Sequence, residues 1–392
     1  MKLRALDLFS GIGGMSLALR GWTSTVAYCE INRFARSVLD HNAKRNELDA
    51  APICKDIADL NERWMADNSV DARGIDIVLA GFPCTGMSVA GSRGGFENES
   101  SALFFEIMRI ADIVQPKMLF FENSAFIVSN GLGVIVKELV ERRGYALRYT
   151  CVAASAVGAP HRRNRWYCLA IKEESLGNIE ERRGGDARPW THYPWHTRPA
   201  PARMVSKEHG RRQKKRGEMY NRLGNSVVPD VVRRAFVHLA QGFKSQIDDV
   251  LENSVRIEQN VIIDGRWMHA PKYPATGFIE RVGDSIVTKP AMRIEAKVRP
   301  LDLVLDPVAY RPDVPPHASA TSGFVEHPVN LSLWATPTPL PSSANFITQR
   351  SKTLIGTQLR FERNTDDRYG YINPKFFEWM MGFPIGWTCM EL

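Results

Sequence analysis

The dipeptide Pro83-Cys84 closes the apolar run Ile75–Phe82 and opens a loop, Thr85–Gly95, rich in glycine, serine and alanine. A lone cysteine carried by a strand into such a loop has the placement of a nucleophile, because the thiolate is the reactive form and a polar, accessible loop lets it form. Small residues also let the backbone approach a ligand closely. At this point a buried thiol at a strand end is the alternative.

A second group of residues points to nucleotide chemistry. Arg4–Phe9 reads as a short buried strand, Ser10-Gly11-Ile12-Gly13-Gly14 as a tight glycine turn, and Met15–Arg20 as the helix it opens. Ser24–Glu30 reads as a second strand whose terminal acid follows the first glycine by about 20 residues, the spacing at which a doubly wound fold brings a carboxylate to a ribose diol. Glu30 is therefore a candidate ribose ligand. The turn lacks the full G-x-G-x-x-G, and a turn that serves only packing is the alternative for it. Further along, the strand Lys117–Phe121 ends in Glu122, and Gly158–Arg165 carries a run of basic residues.

In order along residues 3–171 these segments resemble the DNA (cytosine-5) methyltransferases. Asp7-Leu-Phe-Ser-Gly-Ile-Gly-Gly14 is similar to the family's first S-adenosylmethionine motif and Gly81-Phe-Pro-Cys84 to its catalytic motif. Phe121-Glu122-Asn123-Ser124 is similar to its Glu-Asn-Val, Gly158–Arg165 to its Gln-x-Arg-x-Arg motif, and Arg222–Pro229, with Gly224-Asn225, to its last motif. Ser124 stands in place of the family's valine and His161 in place of its glutamine. Asn373–Trp387 resembles the penultimate motif yet follows Gly224-Asn225, so the usual order of the last two motifs is reversed.

The resemblance implies methyl transfer from S-adenosylmethionine to C5 of cytosine at a specific sequence in duplex DNA, with the base flipped out of the helix. Cytosine C5 is too weak a nucleophile to attack a methyl sulfonium unaided, so an enzyme must first add a nucleophile at C6 and turn the ring into an enamine. Cys84 would be that nucleophile. Addition at C6 drives electron density toward N3, which Glu122 would hold or protonate. Arg163 and Arg165, on one side of a strand by period-two alternation, are available to fix the ring, with Arg165 preferred. Seen alone, Glu122 reads as a strand-end cap and the arginines as a solvated hairpin. For the cofactor, Phe9, Gly11 and Gly13 would line the methionine and ribose, Glu30 the diol and Asp56 the adenine amine, with Leu103, Asn225 and Ser226 completing the pocket. Asp56 reads equally as a helix cap before Leu60–Trp64.

These motifs require an α/β fold, a Rossmann-like methyltransferase sheet, joined to a second, smaller, mainly β and irregular target-recognition domain. The expected division is a catalytic domain over 1–242, with a polar and basic insertion at 172–221, then recognition over 243–372. Residues 373–392 form a C-terminal helix and tail that brace the recognition domain.

Composition bounds the alternatives. A chain of 392 residues with 44% apolar content holds two cores, and a net charge of +8 suits a polyanionic partner. The six cysteines form no C-x-x-C pair and no metal-ligand spacing, which fits a reducing compartment and predicts no metal. No signal sequence or membrane span is evident. The expected setting is the cytoplasm of a bacterial or phage-infected cell, or a nucleus in a eukaryote, and the expected state a monomer. Phage or mobile-element origin and a separate restriction endonuclease as partner fit by analogy. Two other activities were weighed: a tRNA cytosine methyltransferase, disfavoured by the long C-terminal region, and a metal-dependent endonuclease, suggested only by Asp284 and Glu295-Ala-Lys297.

Overall fold

In the computed structural model the described residues are 2–83, 99–161, 163–172, 216–241 and 371–388, with 193, 195, 200–201, 204–205, 262–263, 266–267, 277–282 and 285–290. The first half alternates strands and helices: β1 (Leu3–Leu8), α1 (Gly14–Leu19), β2 (Thr23–Cys29), α2 (Arg33–Lys44), β3 (Ile53–Cys54), α3 (Glu62–Asp67), β4 (Ile77–Gly81), α4 (Glu99–Val114) and β5 (Met118–Ser124). Two short helices, α5 (Ile127–Asn130) and α6 (Leu132–Val136), lead to the long hairpin of β6 (Tyr145–Ala153) and β7 (Asn164–Lys172). Then come β8 (Met204–Val205), α7 (Arg216–Asn225), α8 (Pro229–Gln241), a ribbon of β9 (Ile262–Ile263) and β10 (Arg266–Trp267), the hairpin β11 (Gly277–Val282) and β12 (Ser285–Pro290), β13 (Tyr371–Ile372) and α9 (Pro374–Met381).

Nine strands form one sheet in the order β12-β11-β6-β7-β5-β4-β1-β2-β3. β3, β2, β1, β4 and β5 run parallel, and β7 enters antiparallel between β5 and β6. Because β1 has β2 on one side and β4 on the other, the chain reverses its direction of winding at the end of β1, where ligands sit in open α/β sheets. This is the expected Rossmann-like methyltransferase sheet.

Both faces are covered, which is why the central strands read as unbroken apolar runs. Leu3, Ala5, Ile77, Leu79, Met118 and Phe120 face one apolar layer, while Leu6, Leu8, Val78, Ala80, Leu119 and Phe121 face the other. Period-two alternation distributes each strand between the two layers.

Two features differ from the expected division of the chain. The hairpin β11–β12, assigned from sequence to the recognition domain, pairs antiparallel with β6, from Gly277 opposite Tyr149 to Ile279 opposite Leu147, and so extends the main sheet. Ile279 is wholly buried in that sheet's core.

The tail, expected to brace residues 243–372, forms part of the first unit's core. Phe376, Phe377, Trp379, Met380, Phe383 and Trp387 are all buried in the same layer as α1, α2, α7 and α8. Aromatic side chains explain the docking, since each buries about 1.5 to 3 kcal/mol of apolar surface when fully enclosed. α9 is stopped by Gly382, whose φ of 72° is left-handed, and begun by Asn373, whose Oδ1 accepts from Lys375 N.

Candidate active site

Cys84 lies outside the described residues, and so does Arg162. Gly81, the last residue of β4, is registered opposite Glu122 on β5, and a Cβ placed on Gly81 would stand 3.4 Å from Glu122 Oε2. Asn123 Nδ2 donates to the Phe82 carbonyl at 3.2 Å, while the Phe82 ring packs on Phe104 and Phe121. The segment two residues before Cys84 is thus held beside the candidate acid. Asn123 was not singled out from sequence; its place beside Glu122 in the strand-end motif was the available signal.

Glu122 is 8% exposed. Its Oε1 lies 3.1 Å from Arg165 Nε, brought there by the pairing of β5 with β7, in which Glu122 faces Tyr167 and Ser124 faces Arg165. Burial drives the Tyr167 hydroxyl far above its ordinary pKa, with the Glu122 charge adding to the effect. The pair can present both a carboxyl group and a guanidinium to a planar heterocycle.

Arg163 has a different place from the catalytic one expected. It is 5% exposed, and its Nη1 and Nη2 donate to the carbonyls of Gly224 at 3.0 Å and Ser226 at 2.8 Å. Burial, then the neighbouring Arg165, lower its pKa to about 9. The two arginines part company here: the Arg163 side chain turns onto the backbone of the Gly-Asn motif, while Arg165 meets Glu122. His161, two residues earlier, is wholly buried with Nε2 3.1 Å from the Met380 carbonyl of α9, and burial pushes it down to about 3. Three alternate residues at the entry to β7 therefore tie this segment to three others: 161 to the tail, 163 to the Gly-Asn motif and 165 to Glu122.

Of the residues expected to bind the cofactor, Phe9, Gly11, Gly13, Glu30 and Asp56 follow the carboxyl ends of β1, β2 and β3. Phe9 (φ 53°), Gly11 (φ 56°) and Gly13 (φ 84°) are all left-handed. For Phe9 that conformation costs about 1 kcal/mol or more, the kind of strain found at binding sites. Glu30 Oε2 accepts from Gly11 N at 2.8 Å and Oε1 from Asn32 N at 2.7 Å, so the carboxylate is fixed across the turn. Phe9 and Leu103 lie half-buried against the apolar cluster that holds Cys29, Cys54 and Ile57. Asp56 caps the short 3-10 turn Ile57–Asp59 through Ala58 N, whereas Asn61 caps α3, so the capping role lies one element earlier than read from sequence. Asn225 is exposed at the end of α7, and Ser226 Oγ donates to the Leu223 carbonyl at 2.8 Å.

Sequence reading missed Asp7. It is buried beneath the turn at the end of β1, accepts from Ser16 Oγ at 2.6 Å, and is pushed up by burial to about 7. Its part in the quoted motif was the only signal. Among the described residues no group of histidine, cysteine, aspartate and glutamate is placed to hold a metal, and no helix is long and apolar enough to cross a membrane. Asp284, Glu295 and Lys297 lie outside the described residues.

A Rossmann-like sheet with a left-handed glycine turn at its switch point and a strand-end acid on the neighbouring strand makes a nucleotide-type binding site in an α/β protein. Comparison with known proteins gives the family: residues 3–200 match the C-5 cytosine-specific DNA methylases. The chain is 30% identical to the type II methyltransferase M.CviJI of Paramecium bursaria Chlorella virus IL3A, over 98% of this chain and 97% of that one. It is 32% identical to the type II methyltransferase M.HhaI of Haemophilus parahaemolyticus over 44% of this chain and 50% of that protein. Against the orphan methyltransferase M.SPRI of Bacillus phage SPR it is 29% identical over 46% of this chain and 40% of that protein. The chain belongs to the C-5 cytosine-specific DNA methylases.

Proposed function

We propose that this protein methylates C5 of cytosine within a specific sequence of duplex DNA, on a base flipped into the cleft at the ends of β4 and β5, through a covalent bond from Cys84 to C6. The observation that carries the reading is the Glu122–Arg165 pair, set opposite the strand end that leads to Cys84. An acid and a guanidinium held together on one strand pair match the N3 and O2 edge of cytosine, while a nucleophile from the adjacent strand approaches C6.

The residues fit the methyl donor: a left-handed glycine turn lets a ligand approach its backbone, and Glu30, fixed by two backbone amides beside that turn, is the acid that would take the diol of a ribose. When bound, S-adenosylmethionine supplies the electrophilic methyl group. Phe9, Gly11, Gly13, Glu30, Asp56, Leu103, Asn225 and Ser226 would hold it. Cys84 adds to C6, Glu122 holds the proton at N3, and Arg165 keeps Glu122 in place and steadies the ring. Loss of the C5 proton to water, departure of Cys84 as thiolate and return of the N3 proton to Glu122 restore the aromatic ring.

Residues 243–372, outside the hairpin 277–290, supply the DNA-reading surface in this account, and the relatives' type II and orphan kinds support a role in modification beside, or without, a restriction endonuclease. The protein acts as a monomer, as most enzymes working on one base of one strand can. Bisulfite sequencing of a plasmid co-expressed with the protein should show protected cytosines in one short sequence context. A plasmid converted as fully as its control would exclude the reading.

A further inference from the structure

Trp387 is 375 positions from Ile12, yet its indole Nε1 donates to the Ile12 carbonyl at 2.8 Å, in the middle of the glycine turn. The ring is 1% exposed and lies 5.7 Å from that of Phe383. The Trp387 carbonyl accepts from Asn42 Nδ2, a wholly buried amide on α2. From below, the buried Glu378 carboxylate accepts from Gly386 N at 2.6 Å and from Thr388 N and Oγ1 at 2.7 Å each, which fixes the segment 384–388 to α9.

A second contact is independent of the first. A Cβ on Gly14 would stand 3.2 Å from Phe383 and 2.6 Å from Val227, so the helix start after the turn is pressed directly against the tail and the Gly-Asn segment. The tail thus touches the chain on both sides of Gly13. Phe9 is the one non-glycine left-handed residue of the turn and keeps that conformation only where its surroundings hold it, and the end of the chain fixes the same turn at Ile12 and Gly14.

We infer that Trp387 is a positioning residue for the cofactor turn: its indole hydrogen bond fixes the Ile12 peptide and with it the orientation of the Gly11–Gly13 backbone that receives the methyl donor. This rests on the reading of Phe9–Gly13 as the cofactor turn. Trp387 touches neither donor nor base in this scheme. It acts through Ile12.

Trp387→Phe in the full chain keeps most of the ring and removes the donor. Calorimetric titration should show S-adenosylmethionine binding about fivefold to tenfold weaker, the loss of one buried hydrogen bond. KM for the donor should rise in step, while kcat and KM for DNA stay within about twofold. Hydrogen exchange of the wild-type chain supplies a readout that needs no variant: addition of S-adenosylmethionine should slow exchange in peptides covering 10–14 and 384–388 together. Unchanged donor affinity in Trp387→Phe, an equal loss in every kinetic constant, or protection confined to 10–14 would overturn the inference. Glu30→Ala separates the two levels. If it leaves donor affinity intact, the turn itself has been misread; if it weakens binding while Trp387→Phe does not, only the positioning role falls.

Discussion

Glu122 and Arg165, 43 residues apart, meet at 3.1 Å across the antiparallel pair β5–β7, and the strand that delivers Cys84 runs along the other side of Glu122. Glu122 therefore has a cation on one flank and β4 on the other. With side-chain exposures of 26% for the arginine and 11% for the glutamate, the pair is largely enclosed.

Glu122→Gln should lower kcat by roughly 10² to 10⁴-fold, the usual reach of general acid catalysis, while DNA affinity holds. Arg165→Lys keeps the charge but loses the planar fork, and a smaller loss in kcat is expected. Single-turnover methylation with saturating DNA and donor measures both. Turnover near wild type in Glu122→Gln would reduce the residue to a structural cap.

Arg163→Ala leaves the carbonyls of Gly224 and Ser226 without their buried donor. A destabilisation of about 3 kcal/mol is expected, in the range for charged hydrogen bonds lost from an interior. Donor binding should weaken with it, because Asn225 lies between the two anchored carbonyls. Urea unfolding followed by fluorescence checks the first effect and calorimetry the second.

The buried His161 gives an acid-side dependence. Its folded pKa of about 3 lies below the ordinary 6.5, so the unfolded chain binds the extra proton first as pH falls. The neutral histidine's contribution is complete above pH 6.5 and is lost progressively between 6.5 and 3. His161→Gln, which keeps a donor for the Met380 carbonyl, should flatten the decline in stability over that window. Asp7, raised to about 7, acts in the opposite direction in both proteins and cancels in the difference. Urea midpoints at pH 4.5 and 7.5 for the two proteins supply the comparison, and parallel declines would contradict it.

Deletion of residues 373–392 should abolish donor binding as well as methylation. From sequence the tail was expected to brace the recognition domain. The structure reverses that expectation, since Trp387 reaches Ile12 and Phe383 reaches Gly14. A truncated protein that stays folded and binds S-adenosylmethionine normally would show the tail to be dispensable to the turn.

The local half of the site was legible because each part carries its own signal. The Gly11–Gly14 turn, Glu30 at a strand end and Glu122 at another are fixed by the chain within a few residues, and strand ends point to one edge of the sheet. Arg163 was read together with Arg165, but its partner at Gly224 depends on packing that no period reveals. The sequence marks short β-type pieces at 277–279 and 285–288 without their partner; the pairing with β6 joins residues 128 positions apart, Gly277 to Tyr149, and such register has no local imprint. The likeness of Asn373–Trp387 to a known motif was visible, and its aromatic content predicted burial. Which surface received it was set by the shape of the layer formed by α1, α2, α7 and α8.

The covalent step at Cys84 is the centre of the account, and trapping tests it most directly. Duplex DNA carrying 5-fluorocytosine at the modified position, incubated with the protein and S-adenosylmethionine, should give a denaturation-resistant complex, because fluorine cannot leave in the elimination that frees the cysteine. Peptide mass spectrometry should locate the linkage at Cys84, and Cys84→Ala should form none. Absence of the complex with the wild-type protein, or its persistence in Cys84→Ala, would contradict the mechanism.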